Sequence, residues 1–232
     1  MRKDFTKGLS DGIPIALGYF SVSFGFGILA AGLEIPAFYA FLISATNLTS
    51  AGQAAGVEII AACGTMIEMI ATQFVINLRY SLMGFSLTQK LDKRFNTPKR
   101  LLISYGITDE IFAVAISQKG SLSATYMAGL IALPFLGWTS GTLAGALSGQ
   151  FLPAIITDAM GILLYGMFIA IMIPPAKKSK PLLLAILIAA ALSMLFKYVF
   201  TFIGSGFSII LSALIASVIC AALFPVREEE NS

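Results

Sequence analysis

The sequence predicts an all-α integral membrane protein, with about six full transmembrane helices plus two broken or re-entrant segments, in a single polytopic domain over residues 1–232. Three observations predict it. Of the 232 residues, 57% are hydrophobic and only 12% are charged, at a mean hydropathy of +0.88, whereas a soluble domain carries roughly a quarter charged residues. The apolar runs are continuous, unlike the ~10-residue alternating segments of a transmembrane β-barrel. The basic residues gather in three short clusters, as they do in the cytoplasmic loops of multi-pass proteins.

Taken in order, eight apolar segments lie at about 12–34, 36–62, 64–89, 101–118, 122–147, 150–174, 181–203 and 206–225, each near the ~20 residues that a span requires. The first follows Arg2, Lys3 and Lys7. It is too long for a secretory signal and lacks a small-residue cleavage site, so it reads as a retained helix. The second and third basic clusters are Lys90, Lys93, Arg94, Lys99 and Arg100, then Lys177, Lys178 and Lys180. If all three clusters are cytoplasmic, the chain crosses an even number of times between them, yet each interval holds three apolar segments. One segment per interval therefore falls short of a full span. In the first interval it is 36–62, interrupted by Ser44-Ala45-Thr46-Asn47-Leu48-Thr49-Ser50-Ala51-Gly52-Gln53; in the second it is 101–118, the shortest and most polar. The last two segments form a hairpin that returns Glu228-Glu229-Glu230, and with it the C-terminus, to the cytoplasm beside the N-terminus.

Composition also excludes whole function classes. The chain has no histidine, so no Ser-His-Asp triad, His-bearing zinc protease site or His-ligated haem can form. Cys63 and Cys220 stand far apart in apolar runs and read as small hydrophobes, not as a redox pair or metal ligands. No G-x-x-x-x-G-K-[ST] phosphate loop occurs. The sequence therefore predicts a non-enzyme without cofactor or metal, in contact with the lipid bilayer and not with nucleic acid.

Two sets of polar residues remain. A helix break at bilayer depth is tolerated where it lines a cavity, and transporters use freed helix ends to hold a substrate's charged groups. Asn47, Thr49, Ser50, Gly52 and Gln53 in the break, with Asn77, are accordingly the candidate substrate-binding residues. Ordinary helix packing by small and hydroxyl residues is the competing reading. The second set is intramembrane charge: Glu58, Glu68, Arg79, Asp109, Glu110, Asp158 and Lys197. Such charges pair or face water. Glu68, Thr72 and Arg79 share a helix face, but Glu68 and Arg79 are ~16 Å apart along the axis and need separate partners. Asp109 or Glu110 is the expected partner of Arg79. This makes Arg79, Asp109, Glu110 and Glu68 the candidate coupling or ion-pair residues, with a static helix-joining pair as the alternative. The glycines of the first segment, including Gly12, Gly18, Gly25, Gly27 and Gly32, suit close helix packing.

Four motifs in order carry a family resemblance: Gly12-x-Pro14 with Ser23-Phe24-Gly25, Ser44 through Gln53, Asn77-Leu78-Arg79-Tyr80, and Thr108-Asp109-Glu110-x-Phe112-Ala113. Over about residues 8–175 the chain resembles the AzlC-type branched-chain amino acid permease family. It departs from that pattern at Leu48-Thr49-Ser50-Ala51-Gly52-Gln53, where Phe-Ala-Gly-Ala-x-Gln is usual, and at Tyr80, where His is common. The resemblance implies export of branched-chain or similar apolar amino acids, in company with a small AzlD-type membrane subunit. Read with the polar break, it gives a secondary transporter of the cytoplasmic membrane exchanging substrate against protons. A passive small-solute channel and the membrane subunit of an ATP-driven importer are the rival readings.

Overall fold

A computed structural model describes residues 2–92, 95–149, 176–200 and 202–224, together with positions 151, 153, 155, 166, 169 and 172–174. Asp158, Lys93, Arg94 and the Glu228–Glu230 tail lie outside the described residues. Among the described residues the named elements are all α-helices: α1 (Arg2–Gly32), α2 (Ala37–Thr46), α3 (Ala51–Ala61), α4 (Met66–Thr88), α5 (Thr97–Tyr105), α6 (Asp109–Ser117), α7 (Ala124–Ser148), α8 (Lys180–Tyr198) and α9 (Ser205–Leu223). Four of them, α1, α7, α8 and α9, are long and apolar enough to cross a membrane. At 23 residues α4 is as long as some of these, but it carries Glu68, Gln73, Asn77 and Arg79.

Side-chain caps set most of the helix starts. Thr65, Asn96, Thr108, Ser123 and Ser179 each accept a bond from the backbone N–H three residues on, which satisfies a donor the first turn leaves open. Pro98 and Pro181 occupy first-turn positions, where a missing N–H costs nothing.

α1 and α7 form the scaffold, running parallel at very close approach. A Cβ on Gly8 would lie 2.2 Å from the carbonyl oxygen of Tyr126, and one on Gly27 would lie 2.2 Å from that of Thr142. From the other side, a Cβ on Gly137 would meet the Ala16 carbonyl at 2.4 Å and one on Gly145 the Phe24 carbonyl at 2.0 Å. Without hydrophobic force between helices in lipid, such close backbone packing is what holds them together. The packing role expected for Gly12 and Gly27 is thus observed, whereas Gly18 and Gly32 face open space.

Two helix pairs stop short of the full length. The interruption expected after Ser44 is real: α2 ends at Thr46, residues 47–50 are unwound, and α3 starts at Ala51. Ile60 and Ala61 at the end of α3 share a cleft with Leu33–Pro36, so this pair enters and leaves at one end of the molecule. The segment expected at 101–118 is likewise two nine-residue helices, α5 and α6, turning at residues 106–108. Their outer ends are joined: Asp92 N–H donates to the Leu122 carbonyl (2.9 Å) and Leu122 N–H to the Lys90 carbonyl (2.8 Å). The Lys90 ammonium caps the carbonyls of Ile116 and Gln118. The start of α1 lies at this same end, where Lys7 Nζ donates to Gln118 Oε1 (2.7 Å) and Ser123 Oγ to Asp4 (3.3 Å). The two hairpins therefore enter from opposite ends. Their inner ends meet where the Tyr105 hydroxyl donates to the Ala45 carbonyl.

Candidate functional site

Where the hairpin tips meet, they enclose a cavity of about 640 Å³ with walls from α1, α4, α7 and Met172. Its lining holds the polar side chains of Arg79, Tyr80, Asp109, Glu110, Thr108, Tyr19 and Ser50. It also holds the apolar side chains of Ile15, Val22, Leu48, Ala51 and Trp138. A concave site that combines apolar walls with polar groups is the usual setting for a small-molecule ligand.

The polar part of the lining is organised by two carboxylates with different partners. Arg79 Nη1 is paired with Asp109 Oδ2 at 2.8 Å, and both side chains are about half exposed. Arg79 Nη2 also donates to the Tyr80 hydroxyl (3.2 Å), with the guanidinium stacked over that ring at 5.0 Å. Glu110 turns away from Arg79 and accepts from the Tyr19 hydroxyl, which itself lies 2.5 Å from Thr108 Oγ1. The adjacent acids thus share no partner, because consecutive residues at a helix start point about 100° apart. Tyr19 is held in turn by edge-on contact with Trp138, ring centroids 5.2 Å apart at 74°.

The break that brings Ser50 and Leu48 to this cavity is fixed from behind by Gln53. Its Oε1 accepts from Trp138 Nε1 (2.9 Å) and from Ser50 N–H (3.3 Å), and its Nε2 donates to Ser44 Oγ (2.8 Å). Ser44 is bonded onward to Thr142 of α7 at 2.7 Å. Every polar atom of the Gln53 amide is engaged, and the side chain is only 1% exposed. Ser50 itself has φ 50° and ψ −82°, a strained conformation for a residue with a Cβ; the Gln53 bond to its N–H holds it there.

Of the residues expected to bind substrate, only Ser50 lines the cavity. Gln53 is outside the lining and is bonded to two residues that form it, Ser50 and Trp138. Asn47 caps the end of α2, outside the lining. Thr49, Gly52 and Asn77 form a separate group: Gln73 Nε2 donates to the Gly52 carbonyl (2.7 Å) and Asn77 Nδ2 to Gln73 Oε1 (3.1 Å). Of the expected charge set, Arg79, Asp109 and Glu110 meet at the cavity and Glu68 does not. Glu68, 5% exposed, accepts from Gly206 N–H at 2.7 Å and so caps the start of α9, where a carboxylate complements the helix dipole. Sequence reasoning missed Tyr19, Thr108 and Trp138. Trp138, the single tryptophan, and Tyr19, among the α1 glycines, were visible signals of a special position. Among the described residues no group of three or more Cys, Asp or Glu is arranged to hold a metal.

No solved structure matches the chain. The inner membrane protein YgaZ of Escherichia coli (strain K12) is 26% identical over 227 residues, covering 94% of this chain and 88% of that protein. The sequence model of the AzlC protein family matches residues 14–152, well over half the chain's length. The chain is a membrane protein of the AzlC family.

Proposed function

We propose that this protein is a secondary transporter that exports branched-chain or similar apolar amino acids across the cytoplasmic membrane, in exchange for protons and together with a small AzlD-type subunit. The observation that carries the reading is the cavity lined by both charged and apolar side chains. A zwitterion with an aliphatic side chain needs one anion site, one cation site and a dry surface, all within a few ångströms. Half-exposed Arg79 has guanidinium N–H groups beyond those spent on Asp109 and Tyr80 and can receive the substrate carboxylate. Glu110, whose charge Arg79 does not neutralise, can receive the ammonium. Ile15, Val22, Leu48 and Trp138 supply the dry face.

The same arrangement supports exchange. Once Arg79 and Asp109 offset each other, Glu110 remains as one excess negative charge in the cavity lining, and a charge at membrane depth takes a partner or faces water. Either the substrate ammonium or a proton can be that partner, and competition between the two at one carboxylate couples their movements in opposite directions. The hairpins entering from opposite ends support a topology of six crossings and two re-entrant pairs. With Lys7, Lys90, Lys99 and Arg100 toward one end, the positive-inside rule puts that end in the cytoplasm. The substrate class and the partner subunit rest on the family.

The test uses right-side-out vesicles holding the full chain with an AzlD-type subunit, loaded with labelled leucine. An imposed proton gradient is expected to drive efflux, and Glu110→Gln to uncouple efflux from the gradient. Leucine flux that ignores the gradient in the unsubstituted protein would reduce the reading to a channel.

A further inference from the structure

Among the described residues, Gly18 of α1 is the one glycine in the cavity lining. No atom of the described residues lies within 4 Å of the position that a Cβ on Gly18 would take. We propose that this gap receives the aliphatic side chain of the substrate, so that Gly18 sets the largest side chain the site accepts. The size limit rests on the transporter reading and adds to it the selectivity of the same cavity.

Close helix packing, which accounts for other glycines of α1, does not account for this one. A Cβ on Gly8, Gly12 or Gly27 would meet a backbone carbonyl oxygen of α7 at 2.2, 2.9 or 2.2 Å, whereas one on Gly18 would meet nothing. Glycine also weakens a helix interior relative to alanine. Its presence at an open position of the lining keeps space free that any other side chain would occupy.

Helix geometry aims that space into the cavity. At about 100° per residue, Pro14, Gly18, Val22, Ile15 and Tyr19 follow one another around α1 over an arc of about 140°, and all five line the cavity. Gly18 falls inside the arc, between Pro14 and Val22. Ile15 and Val22 stand three residues before it and four after, the spacings at which side chains meet on a helix face. Both pack against the cluster of Tyr19, Leu48 and Trp138. A hydrocarbon group lodged at Gly18 therefore lies against aliphatic side chains and takes apolar surface out of water. Tyr19, the next residue of the same turn, donates to Glu110, the carboxylate assigned to the substrate ammonium. The gap thus opens beside the group that would hold the polar end of the same molecule.

Carbon added at residue 18 takes space from a large substrate side chain and leaves a small one room. A difference of one methylene at an apolar site discriminates by roughly 10–200-fold. Because no described atom packs on Gly18, substitution changes the cavity and not the α1–α7 contact.

The measurement is equilibrium binding of radiolabelled alanine, valine and leucine to the full chain, purified in detergent with an AzlD-type subunit. The unsubstituted protein is expected to bind leucine more tightly than alanine. Gly18→Ala is expected to narrow that preference, and Gly18→Val to lower the leucine-to-alanine affinity ratio by about 10-fold or more. Gly18→Ala adds a single methyl to open space, so it reads the ratio in a folded chain even where valine disturbs the helix. Gly32→Val, at an open position of the same helix outside the lining, is expected to keep the original ratio. A ratio unchanged in both Gly18 variants overturns the size limit and leaves the transporter reading standing. Equal weakening of alanine and leucine also overturns it, since that marks general damage to the site. An unsubstituted chain that binds none of the three overturns the transporter reading itself, and the size limit with it.

Discussion

Gln53 shows how a single polar side chain can tie together three groups from different parts of the fold. Its amide serves three groups at once, and leucine there would strand the Trp138 indole N–H and the Ser50 N–H. Leaving a buried donor unmade costs ~1–3 kcal/mol, or a fall of roughly 2–10 °C in a chain of this size. Gln53→Leu is therefore expected to lower the unfolding temperature as well as transport. Adding Trp138→Phe removes one of the stranded donors, so the double variant should be more stable than the sum of the singles; strict additivity would show that the bond is not made. Arg79 behaves differently. Because it and Asp109 are about half exposed, screening reduces the pair to ~0–1 kcal/mol of stability. Arg79→Met and Asp109→Leu are each expected to fold normally. If Arg79 holds the substrate carboxylate, the double variant folds and still fails to move leucine; recovered transport would make the pair purely structural.

At the level of elements, the two kinds of glycine separate cleanly. Gly145 of α7 sits against the backbone of α1, and a methyl there would lie 2.0 Å from a carbonyl oxygen that cannot swing aside. Gly145→Ala is expected to cost roughly 3 kcal/mol or more, or to abolish folding, because the whole α1–α7 contact must open. Gly84 of α4 has nothing within 4 Å of its Cβ direction. Gly84→Ala should raise stability by ~0.5–1 kcal/mol, since alanine loses less backbone freedom in a helix. Thermal unfolding of the two variants side by side checks both, and an equal effect would contradict the close helix approach.

For the whole molecule, the hairpins make a sidedness prediction. Ser121 lies beside the Lys90 strand of contacts at one end, and exposed Cys63 follows α3 at the other. An impermeant thiol reagent on intact cells should label Cys63 with Cys220 changed to Ala. It should leave Ser121→Cys and Lys178→Cys unlabelled in a chain lacking both native cysteines. Labelling of Ser121→Cys would place the α5–α6 hairpin on the outer face and remove the opposed-hairpin topology.

What the sequence determined by itself was everything set by composition and local pattern. The membrane class follows from the charge deficit, the helices from continuous apolar runs, and the interruption after Ser44 from a polar run that an apolar helix does not carry. Arg79 needed an anion, and the acids at 109 and 110 were the candidates. Only the tertiary structure chose between them, and only it sent Glu110 to Tyr19, Gln53 to Trp138 and Glu68 to the start of α9. These partners lie 91, 85 and 138 residues apart in the chain. Burial sets the need for a partner, and burial is legible in sequence. Which partner answers depends on how helices distant in sequence pack together, and no local stretch of sequence shows that.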